Sequence, residues 1–292
     1  MNLQYYFIEA RKNGWAIGQF NISNLETLRA IMRAAQNLRR PVIIGTSEGE
    51  SQFIGLGQAV ALITSFKKET GLPIFINLDH GKDFEYIKKA IDLGYDAVHF
   101  DGSKMSLEEN IEIAKKVAEY GHEKNVFVEG EIGIIKGASE LHKEKIEIDE
   151  EDLTDPREAL RFINETKVDS LAINIGTFHG LDISGGKPHI NLQRLREIKE
   201  KVEDKVFLVL HGGSGVPEED IKEAIKIGIS KININTELRL SFTNTLKGVL
   251  EKNPEETTPY KYMPKVISAV QKIVEEKIKL FTQAKRSVEM KR

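Results

Sequence analysis

The 292-residue chain contains no cysteine, and that absence removes disulfides, thiolate metal sites and cysteine nucleophiles together. Any metal it binds has to be held by imidazole and carboxylate. Charge of one sign is lacking too. The net charge is −3 at pH 7 and no basic block stands out, so nothing argues for nucleic acid. No apolar run is long enough to cross a bilayer, which excludes a membrane partner of that kind. The first residues, MNLQYYFIEARKNG, lack a basic start, an apolar core and a small-residue cleavage site. They do not read as a signal peptide, and the expected location is cytoplasmic.

What the chain does have is alternation. Short apolar runs at residues 15–20, 41–47, 73–79, 97–101, 126–132, 170–176, 206–211 and 229–235 are separated by amphipathic stretches. These predict helices over 24–39, within 53–70, and over 84–93, 107–123, 156–166, 192–201 and 218–227. Repeated βα units imply a parallel sheet. An open doubly wound sheet shares this local pattern, but eight strands and no G-x-G-x-x-G after the first favour a (β/α)8 barrel. The expected organisation is one barrel domain over residues 1–292. Glu255 to Pro259 breaks the pattern, and one or two further helices over 263–284 make residues 255–292 a C-terminal helical extension. Residues 285–292 are polar and expected to be disordered.

In a barrel the polar residues at strand C-termini converge on one face. Here they are Asn21, Ser47, Asp79, His80, Asp101, Glu129, Glu131, Asn174, His179, His211, Asn233 and Asn235. An isolated Asp-His pair such as Asp79-His80 more often serves as a helix cap with its satisfied partner. Two further histidines in equivalent places favour chemistry. His80, His179 and His211 each precede a glycine beyond the third, sixth and seventh strands. Three neutral imidazoles with an open fourth position suit a catalytic Zn2+, and Co2+ or Fe2+ would suit the same ligands. His99, inside the fourth strand, reads as a packed core histidine. His122, His142 and His189 read as solvated or capping. After His211, the run Gly212-Gly213-Ser214-Gly215 opens a helix, as a phosphate-binding loop would, although a well-built turn needs the same residues. Asn233, Asn235 and Thr236 offer donors to the same anion.

Seven motifs then fall in order: Asp79-His80-Gly81, Asp101-Gly102-Ser103, Glu129-Gly130-Glu131-Ile132-Gly133, Thr154-Asp155-Pro156, Ile175-Gly176-Thr177-Phe178-His179-Gly180, His211 through Gly215, and Lys231 through Thr236. Together they resemble the class II, zinc-dependent ketose-bisphosphate aldolases of the fructose- and tagatose-bisphosphate type, from about Asn21 to Met263. The resemblance implies that His80, His179 and His211 hold the metal and that Asp79 carries the proton. Asp101 and Glu131 would stand beside the metal or replace a ligand. Gly180, Gly212, Ser214, Asn233, Asn235 and Thr236 would bind the dihydroxyacetone-phosphate half of a sugar phosphate, with Asn21 and Ser47 on the other side. A monovalent cation and a homodimer or homotetramer are further implications.

The chain departs from that family in three places. Ala138 and Ser139 stand where a mobile loop carries two acids, leaving Glu140 as the substitute. Asp182-Ile183 replaces Tyr-Lys, and Thr258-Pro259-Tyr260 replaces the Asp-Pro-Arg whose arginine reaches the far phosphate, with Lys261 beside it. The function expected is cleavage of a ketose bisphosphate, fructose 1,6-bisphosphate first, to dihydroxyacetone phosphate and an aldehyde such as glyceraldehyde 3-phosphate. The alternatives are tagatose bisphosphate, another ketose phosphate, a Schiff-base lyase using Lys231, and a non-catalytic sugar-phosphate-binding homologue. Lys231 itself is expected to pack its stem outside the barrel.

Overall fold

A computed structural model describes residues 2–184 and 188–283. Helix α1 (Leu3–Asn13) precedes the first unit, β1 (Ile17–Asn21) and α2 (Leu25–Leu38). Then come β2 (Val42–Ser47), α3 (Glu48–Ile54), α4 (Leu56–Thr70), β3 (Ile74–Gly81), α5 (Phe84–Leu93), β4 (Ala97–Phe100), α6 (Leu107–Glu123) and β5 (Phe127–Ile132). Beyond β6 (Gly137–His142) and a 3-10 turn follow α7 (Pro156–Thr166), β7 (Ser170–Ile173), β8 (His179–Asp182), α8 (Leu192–Val202), β9 (Phe207–Leu210), α9 (Glu218–Ile227), β10 (Ile229–Ile234), α10 (Thr236–Lys252) and α11 (Pro259–Thr282). Eight strands close in the order β1-β2-β3-β4-β5-β7-β9-β10, all parallel, which is the (β/α)8 barrel expected. Most strand residues are buried on both faces, as wrapping helices require, so the runs read as continuously apolar.

Four details correct or extend the sequence reading. The single helix expected within 53–70 is two, because Gly55 at φ 94° breaks the run and lets α4 restart. The polar loop after β5 contains β6, which pairs in parallel with β8 as a small sheet separate from the barrel. The C-terminal helices expected are present, and one of them also forms part of the wall. Val266, Ile267, Val270, Val274, Ile278 and Phe281 form one buried stripe at helical spacing, and α11 packs on α2, α9 and β1. It does what an eighth barrel helix does, while α10 is the addition. The end expected to be disordered, 285–292, lies outside the described residues.

The fourth detail, a correction, is Lys231. Its residue alternates with Asn233 along β10, so both turn into the barrel. Lys231 is buried, and its Nζ donates to Glu129 Oε2 at 2.7 Å. The interior is therefore graded. At the strand N-termini Ile17, Ile43, Phe75, Ala97, Phe127 and Phe207 pack with Leu3, Tyr6, Phe7 and Ala10 of α1, which plugs that end. Gln19, Asn77, Glu129 and Lys231 form a polar layer above, with Asn77 Nδ2 donating to Gln19 Oε1 at 2.9 Å. The remaining polar residues gather at the opposite mouth.

Candidate active site

The mouth is organised by an irregularity between β3 and β4. Leu78 pairs with Val98 and Gly81 with Phe100, so Asp79 and His80 together oppose the single residue His99. Strand side chains normally alternate faces, and a two-against-one bulge suspends that rule. It lets consecutive Asp79 and His80 both face the same cavity. His80 takes φ 53°, a left-handed conformation uncommon away from glycine. Its backbone N–H donates to His99 Nδ1 at 3.1 Å.

The side chains then form a chain of polar contacts. Asp79 is buried and accepts from Asn21 Nδ2 at 2.9 Å and Asn233 Nδ2 at 3.1 Å. His80 Nδ1 lies 2.9 Å from Asp101 Oδ2, and its Nε2 lies 3.0 Å from His211 Nδ1. His211 Nε2 in turn lies 2.8 Å from Glu129 Oε1. Each ring thus turns one nitrogen to a carboxylate and the other to its neighbour. Donation to the carboxylates leaves two imidazole lone pairs facing one another, a mismatch that a shared proton or a cation resolves.

The surrounding charges favour a proton on His80 over its neighbours. Burial opposes a charged His80, but Asp79, Asp101 and Glu131 outweigh it and raise the ring above its usual range. Burial, with the charge of His80, lowers His179 well below that range and lowers His211 as well. Burial would raise Asp79, yet the charge of His80 beside it holds it well below an ordinary carboxylate. At His99 burial again opposes charge, while the nearby carboxylates of Asp79, Glu131 and Glu129 favour it. The His80 amide decides for the neutral ring. An N–H aimed at Nδ1 needs a lone pair there, so the ring is neutral with its proton on Nε2.

Of the expected metal ligands, the structure groups His80 and His211 with Asp79 and His99, each offering an atom within 4.8 Å of the others. His80, Asp101 and Glu131 form an overlapping group. The His179 ring stands alongside, 4.8 Å from His80 and 6.0 Å from His211 by ring centroids. His99 is fully buried, as expected, but its surroundings are imidazole and carboxylate rather than apolar core. His99 Nε2, Glu131 Oε2 and Asn233 Oδ1 are buried without a hydrogen-bond partner among the described residues. Such atoms are costly to leave unpaired. With four imidazoles, several carboxylates and no thiolate, the donor set fits a borderline divalent metal.

A cavity of about 480 Å3 opens over this cluster. Gly180, Gly212, Ser214, Asn233, Asn235 and Thr236 line it, as do Asn21 and Ser47. Thr236 begins α10, so a helix N-terminus faces the space where donors to an anion were expected. Gly212 has φ 64°, and a Cβ there would lie 2.3 Å from the Phe178 carbonyl oxygen, so the backbone passes closer than other residues allow. Ser47 caps α3 in a reciprocal box with Glu50.

Three placements differ from expectation or were missed. Glu140 is exposed and does not line the cavity, whereas Ala138 and Ser139 do. Tyr260 is 77% exposed, and Lys261 pairs with Glu256; neither lines the cavity. Arg239, unpredicted, does line it, donating to Glu50 Oε1 at 2.6 Å and to the Ser139 carbonyl at 3.0 Å. Glu50 also accepts from Asn21 and Asn235. These two sit one turn into helices, where strand-end reading does not look. Lys104 and Lys82 supply further positive charge at the rim.

A parallel barrel with imidazoles and carboxylates gathered at its strand C-termini defines a barrel enzyme whose chemistry sits at that mouth. Residues 1–286 match the family described as Fructose-bisphosphate aldolase class-II, and the chain belongs to it. Members are carbon–carbon lyases acting on sugar phosphates and are typically metal-dependent; this chain is a class II aldolase. A fructose-bisphosphate aldolase of Staphylococcus aureus is 36% identical over 290 residues, covering 98% of this chain and 99% of that one. The crystal structure of the YdjI aldolase from Escherichia coli K12 superimposes with a TM-score of 0.82 at 30% identity, over 96% of both chains. A putative fructose-1,6-biphosphate aldolase from Coccidioides immitis gives 0.82 at 28% identity, over 97% of this chain and 96% of that one.

Proposed function

We propose that this aldolase cleaves a ketose bisphosphate, fructose 1,6-bisphosphate in the first place, to dihydroxyacetone phosphate and glyceraldehyde 3-phosphate, with Zn2+ as its metal. His80, His179 and His211 would hold the ion, with Asp101 and Glu131 beside it as alternative ligands. Co2+ or Fe2+ would fit the same donors. When bound, the ion supplies an electrophile for the negative charge that breaking the C3–C4 bond leaves on the ketone fragment. The observation that carries the reading is Asp79, a buried carboxylate kept ionised beside the imidazole cluster. Asn21 and Asn233 aim it from two sides. A base so held takes the C4 hydroxyl proton on cleavage and returns it on condensation.

Gly180, Gly212, Ser214, Asn235 and Thr236 would hold the phosphate of the dihydroxyacetone half against the N-terminus of α10. For the far phosphate, Arg239 and Lys104 are the cations at hand. Arg239 is already paired with Glu50, which favours a second reading in which the aldehyde half carries no phosphate. A Schiff-base mechanism has no support. Lys231 is engaged with Glu129 below the mouth and does not line the cavity, whereas such a lysine must reach the carbonyl uncharged. A homodimer or homotetramer in the cytoplasm, with a monovalent cation near the metal, completes the reading.

The deciding assay is aldol cleavage of fructose 1,6-bisphosphate beside fructose 1-phosphate and tagatose 1,6-bisphosphate, with and without chelator. Chelator-sensitive turnover, fastest on fructose bisphosphate, is the result expected. Turnover of the monophosphate alone would move the substrate. No cleavage by metal-loaded protein would overturn the proposal.

A further inference from the structure

The bulge that brings Asp79 and His80 together creates a cost of its own. It takes the His80 amide out of the strand ladder in a part-buried place and holds that residue at φ 53°. An N–H withdrawn from water there is costly to leave unpaired. We propose that His99 is a positioning residue for the metal-binding mouth, its ring pinning the bulged backbone at His80 through Nδ1 and steering Glu131 through Nε2. The inference rests on reading the mouth as a metal site.

The geometry supports both halves. His80 N–H meets His99 Nδ1 at 3.1 Å, which places the ring proton on Nε2. That nitrogen lies 3.1 Å from Glu131 Oε2, off the line of a hydrogen bond, and neither atom has another partner among the described residues. Glu131 Oε2 is in turn 3.7 Å from His80 Nδ1. One rigid ring therefore touches the backbone of one proposed ligand residue and the carboxylate of another, while its own side chain is fully buried. A purely apolar residue of similar bulk would fill the space and satisfy neither. Asparagine, whose Oδ1 occupies nearly the position of Nδ1, would keep the amide acceptor and lose the reach to Glu131. Ligand-orienting groups of this kind typically govern metal affinity about 10–100-fold.

The test uses the full chain, stripped of metal and titrated with Co2+ against a competing chelator, for wild type, His99→Phe and His99→Asn. Visible absorption reports the cobalt ligand field, circular dichroism the fold, and hydrogen exchange of the metal-free protein the amide at His80. His99→Phe is expected to stay folded, bind cobalt about 10–100-fold more weakly with a shifted spectrum, and exchange the His80 amide faster. His99→Asn is expected to restore the slow exchange and most of the affinity. Wild-type affinity, spectrum and exchange in His99→Phe would overturn the proposal, as would an asparagine variant no better than phenylalanine. Should a variant not fold, the other is read alone, by whether its exchange follows the presence of an acceptor. Failure of the wild type to bind cobalt would instead count against the metal reading, and the exchange comparison would still judge His99.

Discussion

The two ends of the barrel are built on opposite terms. At the N-terminal end Phe7 of α1 stacks on Phe127 at 4.6 Å and meets Phe207 at 5.0 Å, and Tyr6 meets Phe75 at 5.6 Å. The acids nearby already have partners. Asp96 accepts from Lys67 Nζ and the Ile76 amide, and Asp169 from the Val128 amide, with His122 Nε2 at 3.0 Å. A groove of about 630 Å3 lies there, larger than the cavity at the mouth, yet these polar groups already have partners. At the C-terminal end buried atoms of His99, Glu131 and Asn233 have none among the described residues. The difference teaches that size does not locate chemistry. Single unpartnered atoms occur elsewhere, at Asn77 and Asn110, so it is their gathering at the mouth that does.

Chelation should separate the ends most sharply. Removing the metal is expected to abolish cleavage while lowering stability by only about 3 kcal/mol for an ion held at a hundred times its dissociation constant. Calorimetry of the stripped and reloaded protein checks this; activity that survives stripping would remove the metal from the account. Asp79→Asn comes next. It should cost about 10²–10⁴-fold in kcat with metal content and melting temperature nearly unchanged, and near-normal turnover would mean another group carries the proton. Phe7→Ala is the mirror experiment. It should lose about 3–5 kcal/mol in denaturant unfolding, while kcat/KM of the remaining folded protein stays at the wild-type value. A fall in kcat/KM there would show the ends to be coupled. The smallest effect belongs to Glu140→Ala, since that exposed side chain does not line the cavity. Turnover within about twofold and stability within about 0.5 kcal/mol are expected; a large loss would mean that β6 turns over during the reaction.

How much of this the sequence discloses follows from how local each signal is. The eight strands are legible because burial on both faces writes an unbroken apolar run, and the rim residues are legible as what ends each run. Two strands in register are not a local property. The bulge opposite His99 depends on how β3 pairs with β4, so an imidazole inside an apolar run reads as core. Lys231 misleads for a similar reason: whether a strand residue faces in or out depends on register, which the run does not record. Nothing in the composition of α1 says which end of the barrel it will plug. β6 lacks the alternation of a half-buried strand because most of its residues are exposed. Gly55, by contrast, was readable as the break between α3 and α4.

The place of α11 has a consequence for how the molecule comes into being. The Ala16 amide donates to the Phe281 carbonyl at 3.0 Å, and the wall beside β1 is supplied by α11. Synthesis proceeds at roughly 5–20 residues per second, so β1 and α2 wait tens of seconds for the helix that covers them. Until β10 is made the nascent chain carries an unfinished ring with two open strand edges, the condition that invites pairing with the wrong neighbour. Closure comes in two late steps, the edges when β10 meets β1 and the wall when α11 meets α2, so exposure to misassembly is set by how long the ribosome takes to reach first β10 and then residue 282.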